Sequence, residues 1–412
     1  MLTDIVIVGA GAAGLATAIF TRRLNGSVRV VVVDGARRPG AKILVSGGGR
    51  CNVTNARVTE RDFCGGSQVA IRRVLRSLPV AETVAFFRDL GVPMHEEPHG
   101  KLFPDSSRSR DVLDALLGEA ARLGVERLDA RRVNAIVRGD EGFVLQTSGG
   151  PIHATRVVLA TGGQSVPKSG SDGLGFELAR GLGHTIVPPV PALVPLLLGP
   201  EASLSHASLS GISHEAEIAV WIEGRVAERV AGSLLWTHFG ISGPAALDVS
   251  RHWTRANAEG RAVRLTLSFC PGLTFDAADA QLVEFAGARP RATLLSLLTV
   301  FVPSAVAGAL LRALTLGDAT QAGKLTRDGR RRIAHALVEW PVPVIGTRGY
   351  NYAEVTAGGV RLAEVNPATL ESRVCPGLFL VGEVLDVDGR LGGFNFQWAW
   401  ASAHTAARAL AS

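Results

Sequence analysis

Four consecutive apolar residues, Ile5–Val8, stand between Asp4 and a glycine run. Such a run predicts a strand buried on both faces. Apolar positions then recur at helical spacing over Leu15–Leu24, and a second apolar run, Val28–Val33, ends at Asp34. The chain therefore opens as strand, helix, strand. Residues 67–93 read as helical, with an apolar face that includes Val80–Leu90. His99–Val112 reads as a turn and short strand, and Asp111–Leu123 as a helix ending at Gly124. Three alternating segments, Arg131–Val137, Gly142–Thr147 and Ile152–Ala154, predict a meander with turns at Gly139-Asp140 and Gly149-Gly150. Arg156–Ala160 is a further buried strand that stops at Thr161-Gly162-Gly163.

The pattern changes at Pro188. PPVPALVPLLLGP carries five prolines in 13 residues and reads as a domain crossing rather than a helix. Residues 210–270 alternate in short runs (Glu217–Ile222, Val226–Val230, Ala262–Phe269) and predict a small antiparallel β-domain, whereas 274–340 read as helical. Ala292–Leu311 holds 20 residues without a charge, yet Pro303 divides it. Two short core helices meeting at that proline fit better than a membrane span. The opening theme then returns. Glu354–Val360 is a strand entering a glycine turn, Gly377–Gly382 a buried strand, and Phe396–Leu410 a helix. The middle of the chain is thus expected to be inserted into a domain built from both termini.

Composition narrows the class. With 47% hydrophobic and 19% charged residues, the 412-residue chain is globular and long enough for two or three domains. Net charge is +6 and the pI is near 9.6, but 39 of the 43 basic residues are arginines scattered along the chain. No basic stripe forms, so no nucleic-acid partner is expected. Cys51, Cys64, Cys270 and Cys375 lie far apart without a C-x-x-C pair. That argues against a metal site or a disulfide framework and fits a reducing cytoplasm. No signal segment is expected ahead of the first strand, nor any membrane partner.

The candidate chemistry lies at the glycines. Gly9, Gly11 and Gly14 form G-x-G-x-x-G directly between strand and helix, enclosing Ala12 and Ala13. Gly9 permits the tight turn, Gly11 keeps side chains away from a pyrophosphate, and Gly14 lets helix and strand pack closely. The helix N-terminus presents unpaired N–H groups to the phosphates. Asp34 can accept hydrogen bonds from a ribose diol. Gly40–Asn55, neither helix nor strand by pattern, reads as a ligand-wrapping loop around Gly47–Gly49, with Lys42 and Arg50 adding positive charge beside the phosphates. Cys51 reads as a buried thiol, not a nucleophile. Near the C-terminus, Glu383 ends a strand and suits the hydroxyls of a polyol chain, while Gly392-Gly393-Phe394-Asn395 open the last helix. A helix N-terminus there can compensate charge on the N1–C2=O edge of a reduced isoalloxazine. Adenosine beside Asp34 and Val133, pyrophosphate on Gly9–Gly14, ribityl at Glu383 and flavin before Gly392 describe FAD.

These motifs also carry a resemblance. DIVIVGAGAAG, KILVSGGGRCNVTN, HGKLFPDS, VVLATGG, LLWTHFGISGP, YNYAEVTAGGV and GLFLVGEVLDVDGRLGGFNFQWA run in order through nearly the whole chain. The chain resembles FAD-dependent oxidoreductases of the BaiN/YhiN type, described as aminoacetone-oxidase-like or bile-acid-reductase-like NAD(P)/FAD flavoproteins. The resemblance implies an α/β fold. A Rossmann-like FAD domain would occupy 1–190 and 346–412, an inserted β-rich, barrel-like domain 191–272, and a small helical domain 273–345. It implies non-covalent FAD held by the glycine loop, Asp34, Lys42, Ser46, Gly48, Arg50, Cys51, Asn52, Thr161-Gly162, Gly382-Glu383 and Gly392–Asn395. Many related flavoproteins carry Glu where Asp34 stands; the shorter side chain can still reach a ribose diol.

The expected function is hydride transfer between flavin and a small organic substrate. No second glycine-motif unit exists for a nicotinamide, so NADH or NADPH would bind transiently at the flavin, or O2 would reoxidise it. Two other readings stay open: a flavoprotein acting on RNA, which the basic pI suggests, and a flavin-binding protein without turnover. No catalytic acid or base is assigned. His99, Lys101, His238, Tyr350 and Tyr352 are candidates to line the flavin.

Overall fold

A computed structural model describes residues 1–200, 204 and 206–412. The chain divides into two compact units, Met1–Pro191 with Ala353–Ser412, and Ala192–Tyr352.

In the first unit, Ile5, Val6 and Ile7 are wholly inaccessible and Val8 nearly so, as a strand flanked on both sides requires. Leu2–Val8 pairs in parallel with Val30–Val33 on one side and with Ile152–Leu159 on the other. The sheet runs Glu126–Leu128, Val30–Val33, Leu2–Val8, Ile152–Leu159, Gly142–Thr147, Val133–Gly139. The C-terminal half of Ile152–Leu159 also takes Leu378–Leu380 as a parallel neighbour. A segment more than 200 residues downstream thus re-enters the first sheet. Val8, Val33, Leu159 and Leu380 end at the same edge, where open parallel sheets bind ligands.

The helix Phe394–Leu410 packs on the first helix, Ala12–Leu24. Its Trp398 and Trp400 are buried, and each indole N–H reaches a backbone oxygen, Gly382 at 3.1 Å and Val53 at 2.9 Å. Buried indoles need such partners.

Several boundaries differ from expectation for local physical reasons. Residues 67–93 form two helices, Gln68–Leu75 and Val80–Asp89, because Pro79 starts the second. Gly40–Asn55 is not wholly irregular: Ala41–Val45 is a short helix, stopped when Gly47 and Gly48 take positive φ. Ile152–Leu159 is one strand rather than two. The proline-rich crossing includes a strand, Ile186–Ala192, paired with Val355–Val360. Gly358 there has φ +96, and a Cβ would come within 2.5 Å of Pro188 O.

In the second unit, seven strands form one sheet: Trp340–Val342, Val263–Ser268, Ser213–Ile222, Arg225–Thr237, Gly240–Ser242, Leu196–Leu198, Val344–Thr347. Only Pro343 separates the two outermost strands in sequence, so the sheet must curl back on itself. A 15-residue helix, Pro244–Ala258, interrupts the region expected to be all β. Its buried Ala245, Ala246, Val249, Ser250, Trp253 and Ala256 follow helical spacing, with Pro244 at the first turn. The uncharged stretch forms Leu294–Leu298 and Ser304–Ala313, meeting at Pro303 as the pattern predicts. Sheet and helices share one apolar core, including Trp236, Leu267, Leu297, Leu310 and Leu337.

One ion-pair cluster ties the first helix to the helix Ser109–Arg122. Glu119 accepts from Arg122 Nε at 2.7 Å and Arg23 Nε at 2.7 Å. The Arg122 bond, helped by Arg23, outweighs burial and holds the Glu119 carboxyl down at about 2. A depressed carboxyl stabilises fully above its unfolded value of ~4.3 and loses that contribution as pH falls toward the folded value. Glu119→Gln is therefore expected to flatten the decline of Tm between about pH 4.5 and 2. An unchanged slope in calorimetry would remove the cluster from the acid response.

Candidate functional site

The glycine turn has the geometry its spacing demands. Gly9 has φ +108, and a Cβ there would strike the Ala160 carbonyl of the neighbouring strand. A Cβ on Gly14 would overlap Gly9 O, so helix and strand approach as closely as backbone allows. Around Gly11, in contrast, a Cβ would meet nothing within 4 Å. The helix beginning at Ala12 has no side-chain cap and no acid in its first turn. Its N-terminal N–H groups face that open space with their partial positive charge uncompensated.

Asp34 sits where the second strand ends. Its Oδ2 accepts from Ala10 N–H at 2.7 Å and its Oδ1 from Ala36 N–H at 2.7 Å. An ionised carboxylate has about four acceptor sites, so holding both loops still leaves capacity for a diol. Arg131 N–H donates to Asp34 O and Ala130 N–H to Ala36 O. This lays the start of the meander, with buried Val133, beside the same loop.

In the wrapping loop, Gly47, Gly48 and Gly49 all have positive φ, and space is open around Gly48. Ser46 Oγ donates to Ile43 O at 2.7 Å. Cys51 is fully buried at φ 61, and desolvation pushes its thiol up to about 12. A thiol so hard to ionise is no nucleophile. Arg50 lies 4.1 Å over the Phe103 ring and pairs with Glu97 at 2.5 Å. Asn52 is buried, and its Oδ1 has no hydrogen-bond partner.

The loop after Leu159 brings a second such atom. Thr161 Oγ1 is buried without a partner. Gly162, at φ +70, and Gly163 pass close to Glu383, where a Cβ on Gly163 would lie 3.1 Å from Glu383 Oε1. Lys42, expected to add positive charge beside the phosphates, pairs through Nζ with Glu383 Oε2 at 2.6 Å and donates to Ser165 Oγ. Glu383 Oε1 takes Thr356 N–H at 2.8 Å and Ser165 Oγ at 3.2 Å. Ser165 and Thr356 escaped sequence reasoning because nothing local marks them; only pairing between distant loops brings them to Glu383.

At the last helix, Gly393 has φ +93, and a Cβ there would run into the Thr54 backbone. Asn55 Nδ2 donates to Gly392 O at 3.0 Å, joining this turn to the wrapping loop. Asn395 closes its own turn: Nδ2 donates to Gly389 O and Oδ1 accepts Gly389 N–H. The helix begins at Phe394, two residues before expectation, with no side-chain cap and no acid in its first turn. Gly382, at φ +72, could not carry a Cβ without meeting that of Ala13 at 2.8 Å.

Of the flavin-lining candidates, His99 and Lys101 belong to the first unit, beside Asn55, while His238, Tyr350 and Tyr352 belong to the second. A buried relay outside the glycine site links Glu364 Oε2, His184 Nδ1 at 3.0 Å, and His184 Nε2 to Ser372 Oγ at 2.8 Å. Ser372 Oγ already accepts the Val374 and Cys375 N–H groups and is buried, so the relay closes a loop rather than exposing a nucleophile.

Parallel strands ending in glycine turns, two uncapped helix starts and an acid after the second strand define a Rossmann-type dinucleotide protein with a large insertion. The chain belongs to the HI0933-like protein Rossmann domain family, whose model matches residues 3–409, and is of the BaiN/YhiN type. It is an FAD-dependent oxidoreductase. It is 34% identical over 410 residues to a 3-dehydro-bile acid delta(4,6)-reductase of Clostridium scindens, covering 100% of this chain and 99% of the relative. It is also 34% identical over 409 residues to a ribosomal RNA dihydrouridine synthase of Escherichia coli, covering 99% and 98%. In fold it is similar to 3-ketosteroid delta1-dehydrogenase of Sterolibacterium denitrificans, with a TM-score of 0.52, 14% identity, and 100% and 99% of the two chains covered.

Gly11→Val tests the cradle directly. Because the added side chain enters open space, the variant is expected to keep its far-ultraviolet circular dichroism but to purify without yellow colour. A fully flavin-loaded variant would place the phosphates elsewhere.

Proposed function

We propose that the enzyme holds FAD without a covalent bond and reduces a carbon–carbon double bond conjugated to a carbonyl in a small organic molecule, using NADH or NADPH as transient reductant. The observation that supports the FAD site best is a pair of buried side-chain oxygens without partners, Asn52 Oδ1 and Thr161 Oγ1, in the same unit as an open glycine cradle. Buried polar atoms left unpaired cost about 1–3 kcal/mol each, a cost that a polar cofactor would relieve.

In this reading Gly9, Gly11, Ala12, Ala13 and Gly14 take the pyrophosphate, and Asp34 and Val133 the adenosine. Ser46, Gly48, Arg50, Cys51 and Asn52 wrap the ligand, with Thr161-Gly162, Gly382-Glu383 and Gly392–Asn395 completing the site. When bound, FAD supplies two-electron redox chemistry; the chain supplies position and charge. Lys42, Ser165 and the Thr356 N–H fix the Glu383 carboxylate. The uncapped start of the helix Phe394–Leu410 offers about half a unit of positive charge to an anionic ring edge.

The substrate class rests on the relatives. A delta(4,6)-reductase of a 3-dehydro acid and a dihydrouridine synthase both saturate a double bond polarised by a carbonyl. A second reading, action on RNA, is favoured by the Escherichia coli relative and by the net charge of +6. The small-molecule reading is preferred, since aromatic residues that would stack on bases make up only 6% of the chain. A cytoplasmic location is part of the proposal, supported by four free cysteines. No described helix is long and apolar enough to cross a membrane.

Anaerobic stopped-flow of the yellow protein tests this. NADH or NADPH is expected to bleach the flavin, and a 3-oxo-4-ene steroid to restore its colour. Recolouring by an RNA fragment but not by the enone would select the second reading. No bleaching by either nicotinamide would remove both as reductants and leave substrate-driven reduction with O2 as oxidant.

A further inference from the structure

The chain has four lysines, Lys42, Lys101, Lys168 and Lys324. Lys42 is spent on Glu383, while Lys168 and Lys324 are exposed to water. Lys101 is half-buried and stands on the middle strand of a three-stranded sheet in the first unit. That strand, Lys101–Pro104, pairs with Thr54–Asn55 on one side and Met94–Glu97 on the other. Lys101 lies directly opposite Asn55 and Glu97, and Phe103 directly opposite His95. Opposed residues of an antiparallel pair share a face, as do alternate residues of one strand. Asn55, Lys101, Phe103, Glu97 and His95 therefore project from the same face.

Two residues of this face meet the glycine turns of the FAD site. Asn55 Nδ2 donates to Gly392 O at 3.0 Å, at the turn that opens the last helix. Gly47 of the wrapping loop packs so closely on Phe103 that a Cβ would lie 3.1 Å from its ring. The acid set opposite Lys101, Glu97, is already taken. It pairs with Arg50 at 2.5 Å and lies 3.5 Å from His95 Nε2. Among the described residues, Lys101 makes no ion pair within 4 Å and no side-chain hydrogen bond. A half-buried ammonium gives up part of its hydration, and without a partner it recovers nothing from the protein. An anion at this face would complete it. Reduction of FAD produces one, as negative charge on the N1–C2=O edge of the isoalloxazine.

We propose that Lys101 supplies positive charge to the reduced flavin ring, together with the uncapped start of the helix Phe394–Leu410, and so raises the reduction potential of bound FAD. This rests on the FAD placement above, with the ring before Gly392–Asn395, and not on the identity of the substrate. The flavin gains two electrons; Lys101 balances the charge they bring and transfers nothing itself.

The test uses fully flavin-loaded yellow protein and reads two quantities other than turnover. One is the midpoint potential, measured anaerobically against a reference dye. The other is affinity for sulfite, whose sulfur bonds to flavin N5 and leaves negative charge on the same N1–C2=O edge. Lys101→Met is expected to shift the reduction equilibrium at least about tenfold against the reduced form, about 30 mV for a two-electron couple. Sulfite binding is expected to weaken by at least about tenfold as well, since both anions lose the same unit charge. Lys101→Arg, which keeps the charge, is expected to hold both values within about twofold. Lys324→Met removes an exposed charge from the other unit and is expected to change neither. Asn395→Asp checks the ring placement, because a carboxylate in the first turn of the last helix should lower the potential by itself. If Asn395→Asp lowers the potential and Lys101→Met does not, the proposal is overturned while the FAD placement stands. If neither moves it, the placement falls and the proposal with it. Weaker sulfite binding at an unchanged potential also overturns it, leaving Lys101 a contact for sulfite alone. So does an equal shift in Lys324→Met, or a Lys101→Met protein that cannot hold flavin.

Discussion

The nucleotide unit depends on how closely the helix Ala12–Leu24 can approach the strand before it. Gly14 meets Gly9 O with no room for a Cβ, and Gly9 meets the Ala160 carbonyl in the same way. Three pieces of backbone, the first strand, the first helix and the strand Ile152–Leu159, are thereby brought together without side chains between them. The open space is left at Gly11, where the helix N-terminus carries its uncompensated charge. Close packing at two glycines and emptiness at the third are one arrangement, because the tight turn both seats the helix and clears the volume in front of it.

The C-terminal segment completes what that turn begins. Leu378–Leu380 joins the sheet beside Ile152–Leu159, so the loops at Thr161 and Glu383 emerge next to each other. Burying a carboxylate at such a junction is costly unless it is paired. Lys42, Ser165 and the Thr356 N–H share that task, drawn from three distant parts of the chain. Elsewhere in this unit, the buried oxygens Asn52 Oδ1 and Thr161 Oγ1 are left without partners. Polar groups satisfied by the protein hold the loops together.

The inserted unit handles charge differently. Its sheet returns on itself through Pro343, and its helices share the core of that sheet. Some of its arginines pair with carboxylates, such as Arg330 with Asp279 and Arg229 with Glu217. Others lie over aromatic rings, such as Arg348 over Phe239 and Tyr352 and Arg331 over Phe275.

What the sequence determined by itself was whatever local periodicity and backbone need can specify. Buried strands at Ile5–Val8 and Gly377–Gly382, the glycine turn, the break at Pro303 and the loop at Gly47–Gly49 were all legible, because each is set by neighbouring residues. The helix Pro244–Ala258 was not, since its alanines and polar residues blurred the apolar period. The strand formed by Ile186–Ala192 was hidden by prolines, which look like a breaker until Val355–Val360 is seen pairing with it. The partner of Lys42 was not legible because it lies 341 residues away. Asp34 looked like a pure ligand group, although it first holds Ala10 and Ala36. Tertiary structure alone decided which polar groups were already spent on one another and which remained. Hydrogen bonds and ion pairs between distant loops leave no periodic trace in a sequence, whereas a turn that only glycine can make does.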